Sequence, residues 1–130
     1  MIEPWQLNIK LASVAAELNR RNALGFAYNG KTFQIYDASQ ARITALAVKA
    51  VRVVGGETGA TWDDGFVFIA ADNSSVPMTA AEFGPFADAA SNAVIALRMK
   101  ARGIKDQIVA AYVAQDYAAF DAVDVTAGWE

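Results

Sequence analysis

The residues whose types and spacing could do chemistry in this chain are three aspartates, Asp63, Asp64 and Asp72. Carboxylate oxygens are the ligands that a hard cation such as Ca²⁺ or Mg²⁺ prefers. Their spacing, however, fits no calcium-binding loop, and aspartates beside Gly65 and Asn73 are typical of turns. We therefore predict that these aspartates form turns, and we predict no metal site and no bound cofactor.

The side chains on which most catalysis relies are missing, because the sequence contains no histidine and no cysteine. A serine nucleophile would have no histidine to act as its base, and no cysteine thiolate is available as a nucleophile. The glycine-rich segment 55–59 lacks the Gly-Lys-Ser/Thr ending of a phosphate-binding loop. Glu82 could act as a general acid, but its position at the start of a predicted helix favours a capping role. We predict that the protein is not an enzyme.

Composition places the chain among globular proteins that neither cross a membrane nor bind nucleic acid. Of the 130 residues, 55% are hydrophobic and 19% are charged, and no apolar run approaches the roughly 18 residues of a membrane span. An isoelectric point near 4.9 argues against a nucleic-acid partner. Residues 1–54 carry seven Lys/Arg and three Asp/Glu, and residues 55–130 carry four and eleven. This split fits either solvated faces or complementary contacts between the halves or between copies.

The first half of the chain reads as helix, hairpin, helix. Pro4 suits the first turn of a helix whose leucines recur at steps of four and three, and Gly25 suits its C-terminal cap. Asn29-Gly30 lies between aromatic and β-branched residues, which is the strongest short-range hairpin signal. Asp37 is then predicted to cap a second helix, with Gln40 completing a capping box. The predicted apolar stripe of that helix is Ile43, Leu46, Ala47, Ala50, Val51 and Val54.

The second half repeats the hairpin and ends in a long helix. Residues 66–69 and 76–78 are predicted to pair as strands around the turn at Asp72-Asn73. Thr79 and Glu82 have the spacing of a capping box, which predicts a helix start at Thr79. Apolar residues then follow a heptad-like pattern: Phe83, Ala87, Ala90, Val94, Leu97, Ala101, Ile104, Ile108 and Ala111. The predicted fold class is α+β, with one domain over residues 1–120 and an acidic C-terminal tail over 121–130.

The long helix outruns the first helix by several turns, so its distal part lacks an obvious partner within the chain. Exposed apolar surface of that kind marks an interface. We therefore predict that Ile104, Ile108, Tyr112 and the tail residue Trp129 contact another protein or another copy. Packing of the two helical stripes against each other is the alternative. Trp62 fits either core packing or stacking on a sugar.

Several motifs of the chain resemble, in this order, an uncharacterised domain of tailed bacteriophages and prophages. They are Arg20-Arg21-Asn22-Ala23-Leu24-Gly25-Phe26, Asn29-Gly30-Lys31-Thr32-Phe33-Gln34, Ser39-Gln40-Ala41-Arg42-Ile43, and Thr79-Ala80-Ala81-Glu82-Phe83. The resemblance covers roughly residues 9–113. That domain commonly ends tail-fibre proteins or proteins described as tail-fibre assembly factors, and it has no established catalytic residues to carry over.

The resemblance implies a structural protein of the phage virion in the tail, baseplate or fibre region. Its expected partners are other phage tail proteins and further copies in a homo-oligomer, and its expected location is the virion, with the host cytoplasm during assembly. Two alternatives stay open. The first is an assembly factor that helps fibres fold and leaves before the particle matures, and the second is a glycan-binding module that uses Trp62 and nearby acidic residues.

Overall fold

The computed structural model describes residues Met1–Glu130 and confirms an α+β fold of helices and two small antiparallel hairpins. The elements in chain order are α1 (Pro4–Leu24), β1 (Phe26–Tyr28), β2 (Lys31–Phe33), α2 (Asp37–Val54), β3 (Val67–Ile69), β4 (Ser75–Pro77), α3 (Ala80–Val113) and α4 (Tyr117–Ala122). The chain divides into two compact units. We call Asn22–Val94 the central unit, and Met1–Arg21 together with Ile95–Glu130 the terminal unit.

The first hairpin forms where Asn29-Gly30 predicts it. Both turn residues have positive φ, 49° and 81°, as a type I′ turn requires. The strands pair antiparallel, with Phe26 opposite Phe33. Gly25 ends α1 with φ +85°, and a Cβ there would lie only 2.0 Å from the carbonyl oxygen of Phe33. Only glycine fits this position, so the cap also sets how closely the hairpin follows the helix.

The second hairpin pairs β3 with β4, with Phe68 opposite Val76. Asp72 holds the turn, because its Oδ1 accepts hydrogen bonds from the amide and hydroxyl of Ser74, at 2.9 and 2.5 Å. The amide of Ala71 donates to the carbonyl of Thr32 at 2.8 Å, which joins the two hairpins. Each sheet has only two strands, so packing rather than the ladder must stabilise them.

An aromatic cluster supplies that packing in the central unit. Phe33, Phe83 and Phe86 are almost fully buried, and the rings of Phe33 and Phe86 meet edge to face with centroids 4.8 Å apart. Further rings lie within contact distance of these three: Phe26, Tyr28, Trp62, Phe66 and Phe68. Aromatic pairs in such geometries add about 0.5–1.5 kcal/mol each beyond burial of their area.

The start of α2 differs from the sequence prediction. Tyr36 occupies the N-cap position without a side-chain cap, and Asp37 is the first helical residue. The side-chain amide of Gln40 donates to the carbonyl of Ile35 at 2.6 Å. The predicted Asp37–Gln40 capping box is therefore wrong, because Asp37 already lies in the helix and no side chain caps its N-terminus.

The apolar stripe predicted on α2 is also only partly correct. Ile43 and Ala50 are buried, whereas Val51 and Val54 are 70% and 63% exposed. Val51 lies one residue past Ala50 and is thus turned about 100° away from the buried line of the helix. Val54 shares the side of Ala50, so the packing on this face ends before the last turn.

The start of α3 is as predicted. The amide of Thr79 donates to Glu82 Oε1 at 2.9 Å, and the amide of Glu82 donates to Thr79 Oγ1 at 3.1 Å. This reciprocal pair is a capping box. The helix continues through Gly103 without a break, and most residues of the heptad-like stripe are buried.

The terminal unit has a core of its own, and this overturns one expectation. Ile104 is 9% exposed, Ile108 0% and Trp129 5%. They pack in one cluster with Val14 of α1, and Tyr112 is partly buried against the same cluster. The expectation that the distal helix lacks a partner within the chain is wrong, because α1 and the C-terminal residues cover it. An interface prediction for these side chains loses its basis.

The residues after 120 belong to this core and do not form a separate tail. Trp129 donates its indole N–H to the carbonyl of Val125 at 2.9 Å. Arg21 contacts Glu130 at 3.2 Å, and its guanidinium carbon lies 5.9 Å from the centre of the Trp129 ring. Arg21 therefore contacts both of the last two residues, Glu130 through a salt bridge and Trp129 through a cation–π contact.

Candidate functional site

The terminal unit has a concave groove of about 450 Å³ between one face of α1 and the α4 segment. Three large side chains in it remain exposed, Trp5 at 61%, Ile9 at 63% and Tyr117 at 59%. The other lining residues are Gln6, Lys10, Ser13, Phe120, Asp121, Val123, Asp124 and Val125. We call this surface the α1–α4 groove.

Hydrogen bonds fix the chain on both sides of the α1–α4 groove. The amide of Ile2 donates to Gln115 Oε1 at 2.7 Å, which ties the N-terminus to the end of α3. Gln115 has φ 52° and redirects the chain after α3. Asp116 then caps α4, because its Oδ1 accepts a hydrogen bond from the amide of Ala119 at 3.1 Å. Trp5 on α1 and Tyr117 on α4 therefore lie next to chain segments that hydrogen bonds hold in place.

Charge in the α1–α4 groove is arranged with one cation inside and carboxylates around it. Lys10 Nζ donates to the carbonyl of Phe120 and lies 4.9 Å from the centre of the Phe120 ring. The hydroxyl and amide of Thr126, with a smaller contribution from Lys10, lower the pKa of Asp124. Since Asp121 is exposed as well, the rim offers negative charge beside apolar rings.

A second charged network lies on the same unit around Glu17. Its carboxylate accepts hydrogen bonds from Arg20 at 2.7 Å and from Arg21 at 2.9 Å. Hydrogen bonds from both guanidinium groups lower the pKa of Glu17 to about 2. This network holds the end of the chain through Arg21, and it lies outside the α1–α4 groove.

The aspartates singled out as possible cation ligands act in turns. Asp63 Oδ1 accepts from the amide of Gly65 at 2.8 Å, and Asp72 Oδ2 lies 3.2 Å from Lys31 Nζ. The hydroxyl of Ser74, its amide and Lys31 together lower the pKa of Asp72 to about 2. No group of three or more acidic side chains that could hold a metal ion occurs within Met1–Glu130.

Trp62 packs against neighbouring aromatic rings of the central unit, as one of its two predicted roles requires. Its indole N–H donates to the carbonyl of Met78 at 3.0 Å, and its ring lies 4.8 Å from that of Phe66 and 5.7 Å from that of Phe83. Both the polar atom and the ring thus have contacts within the central unit, while Trp62 stays partly exposed and lines a cavity of about 380 Å³ together with Asp63 and Asp64.

Sequence reasoning missed the α1–α4 groove. The face of α1 that bears Trp5 and Ile9 was not separated from the face that bears the leucine stripe, and no helix was predicted over α4. One signal was present: Asp116 is a residue type that favours the N-cap position, and the amide of Ala119, three residues later, is the donor that such a side chain accepts from.

Comparison with known families adds one assignment. A family model described as a domain of unknown function, DUF4376, matches residues 6–126. The chain belongs to the DUF4376 family. Both walls of the α1–α4 groove, apart from Trp5, fall within the matched residues. No curated protein and no solved structure matches the chain significantly. None of the helices is long and apolar enough to span a membrane.

Proposed function

We propose that this DUF4376 protein is a structural component of a tailed-phage virion, in the tail, baseplate or fibre region, and that it acts by binding neighbouring tail proteins. The observation that carries the proposal is the α1–α4 groove, where Trp5, Ile9 and Tyr117 are each more than half exposed. Tryptophan and tyrosine are enriched at protein interfaces because they bury a large area and retain a polar tip. The biological setting is proposed from the resemblance of the motif order to a domain of tailed phages, and no other observation supports it.

The chemistry of the groove defines the neighbour. Exposed rings favour an apolar segment, and Asp121 and Asp124 at the rim favour Lys or Arg beside it. Lys10 offsets part of this negative charge, as its contribution to the lowered pKa of Asp124 shows, but its single positive charge faces two carboxylates. We expect a tail protein that presents an apolar segment flanked by basic residues.

The experiment is assembly in the phage or prophage that encodes the chain. Trp5→Ser and Tyr117→Ser should each reduce the amount of the protein in purified particles and lower the number of complete tails. Tyr36→Ser is the matched control, because Tyr36 is also exposed, at 45%, and lies in the central unit outside the groove. Normal incorporation of both groove variants would refute docking through this surface.

A specific observation favours glycan binding as a second candidate. Trp5 and Tyr117 share the α1–α4 groove with Asp121 and Asp124, and aromatic faces beside carboxylates suit a sugar ring and its hydroxyls. An oligosaccharide array with the native protein and Tyr117→Ser tests this. Retention of a defined glycan by the native protein alone would favour it, and retention of none would exclude it.

A further inference from the structure

The part of α3 within the terminal unit has a second stripe, separate from the buried one and from the α1–α4 groove. It consists of exposed residues at alternating steps of four and three: Ile95, Met99, Arg102, Asp106, Val109 and Val113. The apolar members are 52%, 68%, 40% and 76% exposed in chain order. Residues at this heptad spacing lie in one line along a helix and form the contact seam of a coiled coil. We call this line the outer stripe.

The outer stripe is symmetric about the position of Ile104. Ile95 and Val113 are each nine residues away, and Met99 and Val109 are each five residues away. All four are apolar. Arg102 and Asp106, each two residues away, carry opposite charges. If a second helix of the same sequence runs antiparallel to the first, apolar residues therefore lie opposite apolar residues and a cation lies opposite an anion.

From this symmetry we propose that a second copy of this chain covers the outer stripe, with the two α3 helices antiparallel about a two-fold axis near residue 104. A two-fold interface is isologous, so each contact occurs twice. Met99 of one copy packs against Val109 of the other, and Ile95 packs against Val113. Arg102 of each copy meets Asp106 of the other. A parallel pair would place Arg102 against Arg102, which repulsion disfavours.

The side chains of Arg102 and Asp106 are exposed enough to form ion pairs with a second copy. Arg102 Nε lies 3.2 Å from Asp106 Oδ1 within the chain, and the two side chains are 78% and 63% exposed. An exposed pair on one helix contributes little to stability. In the antiparallel dimer, two such pairs meet at the axis and form a four-membered network of alternating charge.

A row of small residues beside the outer stripe fits the same arrangement. Ala96, Gly103 and Ala110 are exposed and lie seven residues apart. Glycine within a helix costs roughly 0.5–1 kcal/mol relative to alanine. A Cβ at Gly103 would meet nothing within 4 Å in the chain, so packing within the chain does not require glycine. The two-fold axis places Gly103 beside Gly103 of the second copy, where the absence of a side chain lets the helices approach closely.

The test uses two charge variants of the full chain, separately and mixed. Arg102→Asp and Asp106→Arg each create like-charge contacts within and between copies, so each variant alone should be monomeric by sedimentation. The native protein should have twice its chain mass of 13.8 kDa. An equimolar mixture of the variants should form a heterodimer, because every contact between copies is then between opposite charges while each chain keeps its internal repulsion.

Three results would overturn the proposal. They are a native protein that is monomeric at every concentration, variants that dimerise as well as the native protein, and a mixture that stays monomeric. The first would assign the outer stripe to a different protein. Gly103→Leu is a further check, because a Cβ at this exposed position meets nothing within 4 Å in the chain, whereas at the dimer axis a leucine would keep the two helices apart. It should abolish dimerisation and leave the helical circular dichroism unchanged.

Cysteine cross-linking tests the direction of the helices, and the natural absence of cysteine makes it clean. Met99→Cys mixed with Val109→Cys should form a disulfide-linked heterodimer. Met99→Cys alone should not cross-link, because its two copies would be separated by about 15 Å along the helix axis, beyond disulfide reach. Efficient cross-linking of Met99→Cys with itself, without a disulfide between the Met99→Cys and Val109→Cys chains in the mixture, would contradict the antiparallel geometry.

Discussion

Substitution of Gly25 by alanine tests how the end of α1 positions the first hairpin. Two costs add at this residue. The left-handed backbone, φ +85°, costs a residue with a Cβ about 1–2 kcal/mol. The new Cβ would also lie 2.0 Å from the carbonyl oxygen and 2.6 Å from the carbonyl carbon of Phe33. Phe33 is 1% exposed within the aromatic cluster, so the backbone that must move is packed on its other side, which adds about 1–3 kcal/mol.

Gly30→Ala provides the matched control. Gly30 has nearly the same φ, +81°, but a Cβ there would meet nothing within 4 Å. We expect Gly30→Ala to lower the free energy of unfolding by about 1–2 kcal/mol and Gly25→Ala to lower it by about 2–5 kcal/mol. Urea unfolding followed by far-ultraviolet circular dichroism measures both. Equal losses in the two variants would refute the close approach of the Phe33 backbone to the helix end.

Three further outcomes follow from individual contacts. Thr79→Ala should lower the free energy of unfolding by about 1 kcal/mol. Asp37→Ala should lower it less, because Thr79 caps α3 with its side chain whereas Asp37 does not cap α2. Urea unfolding compares the two variants. Ile108→Ala should cost about 2–5 kcal/mol in the same assay, since the side chain is fully buried, and a negligible loss would contradict the terminal core. The pKa of Glu17 is lowered from 4.5 to about 2 by Arg20 and Arg21, so its stabilisation is complete above pH 4.5 and is lost as the pH falls toward 2. Thermal unfolding midpoints against pH should therefore fall less steeply in this range for Glu17→Gln than for the native protein.

Local sequence signals predicted the elements of this fold well. The Asn29-Gly30 turn, the Gly25 cap and the Thr79–Glu82 capping box each depend on neighbouring residues alone, and the structure has all three. The Asp37–Gln40 box failed because the helix begins one residue earlier than predicted. Tyr36 is the N-cap and Asp37 is the first helical residue, and the Asp37–Gln40 spacing alone does not fix that boundary.

Tertiary placement was harder to predict, as Ile108 and Trp129 illustrate. A helix longer than its neighbour suggests unpaired apolar surface, but α1 and the last residues of the chain bury both side chains. The return of the C-terminus buries Trp129 in this core and adds contacts of Arg21 with Thr126 and Glu130, which are more than a hundred residues away in sequence. The outer stripe was detectable, because its spacing is as regular as that of the buried stripe. Sequence identified the wholly apolar line on α3, which is mostly buried, but it did not show which elements cover that line.

The proposed tail role is tested most directly by quantitative mass spectrometry of purified phage particles. A structural component stays in the particle, whereas an assembly factor leaves it. We expect the DUF4376 protein in mature particles at a fixed ratio to the major tail proteins, unchanged by further purification. Its absence from infectious particles, together with its presence in lysates during assembly, would contradict a virion role and favour the assembly factor.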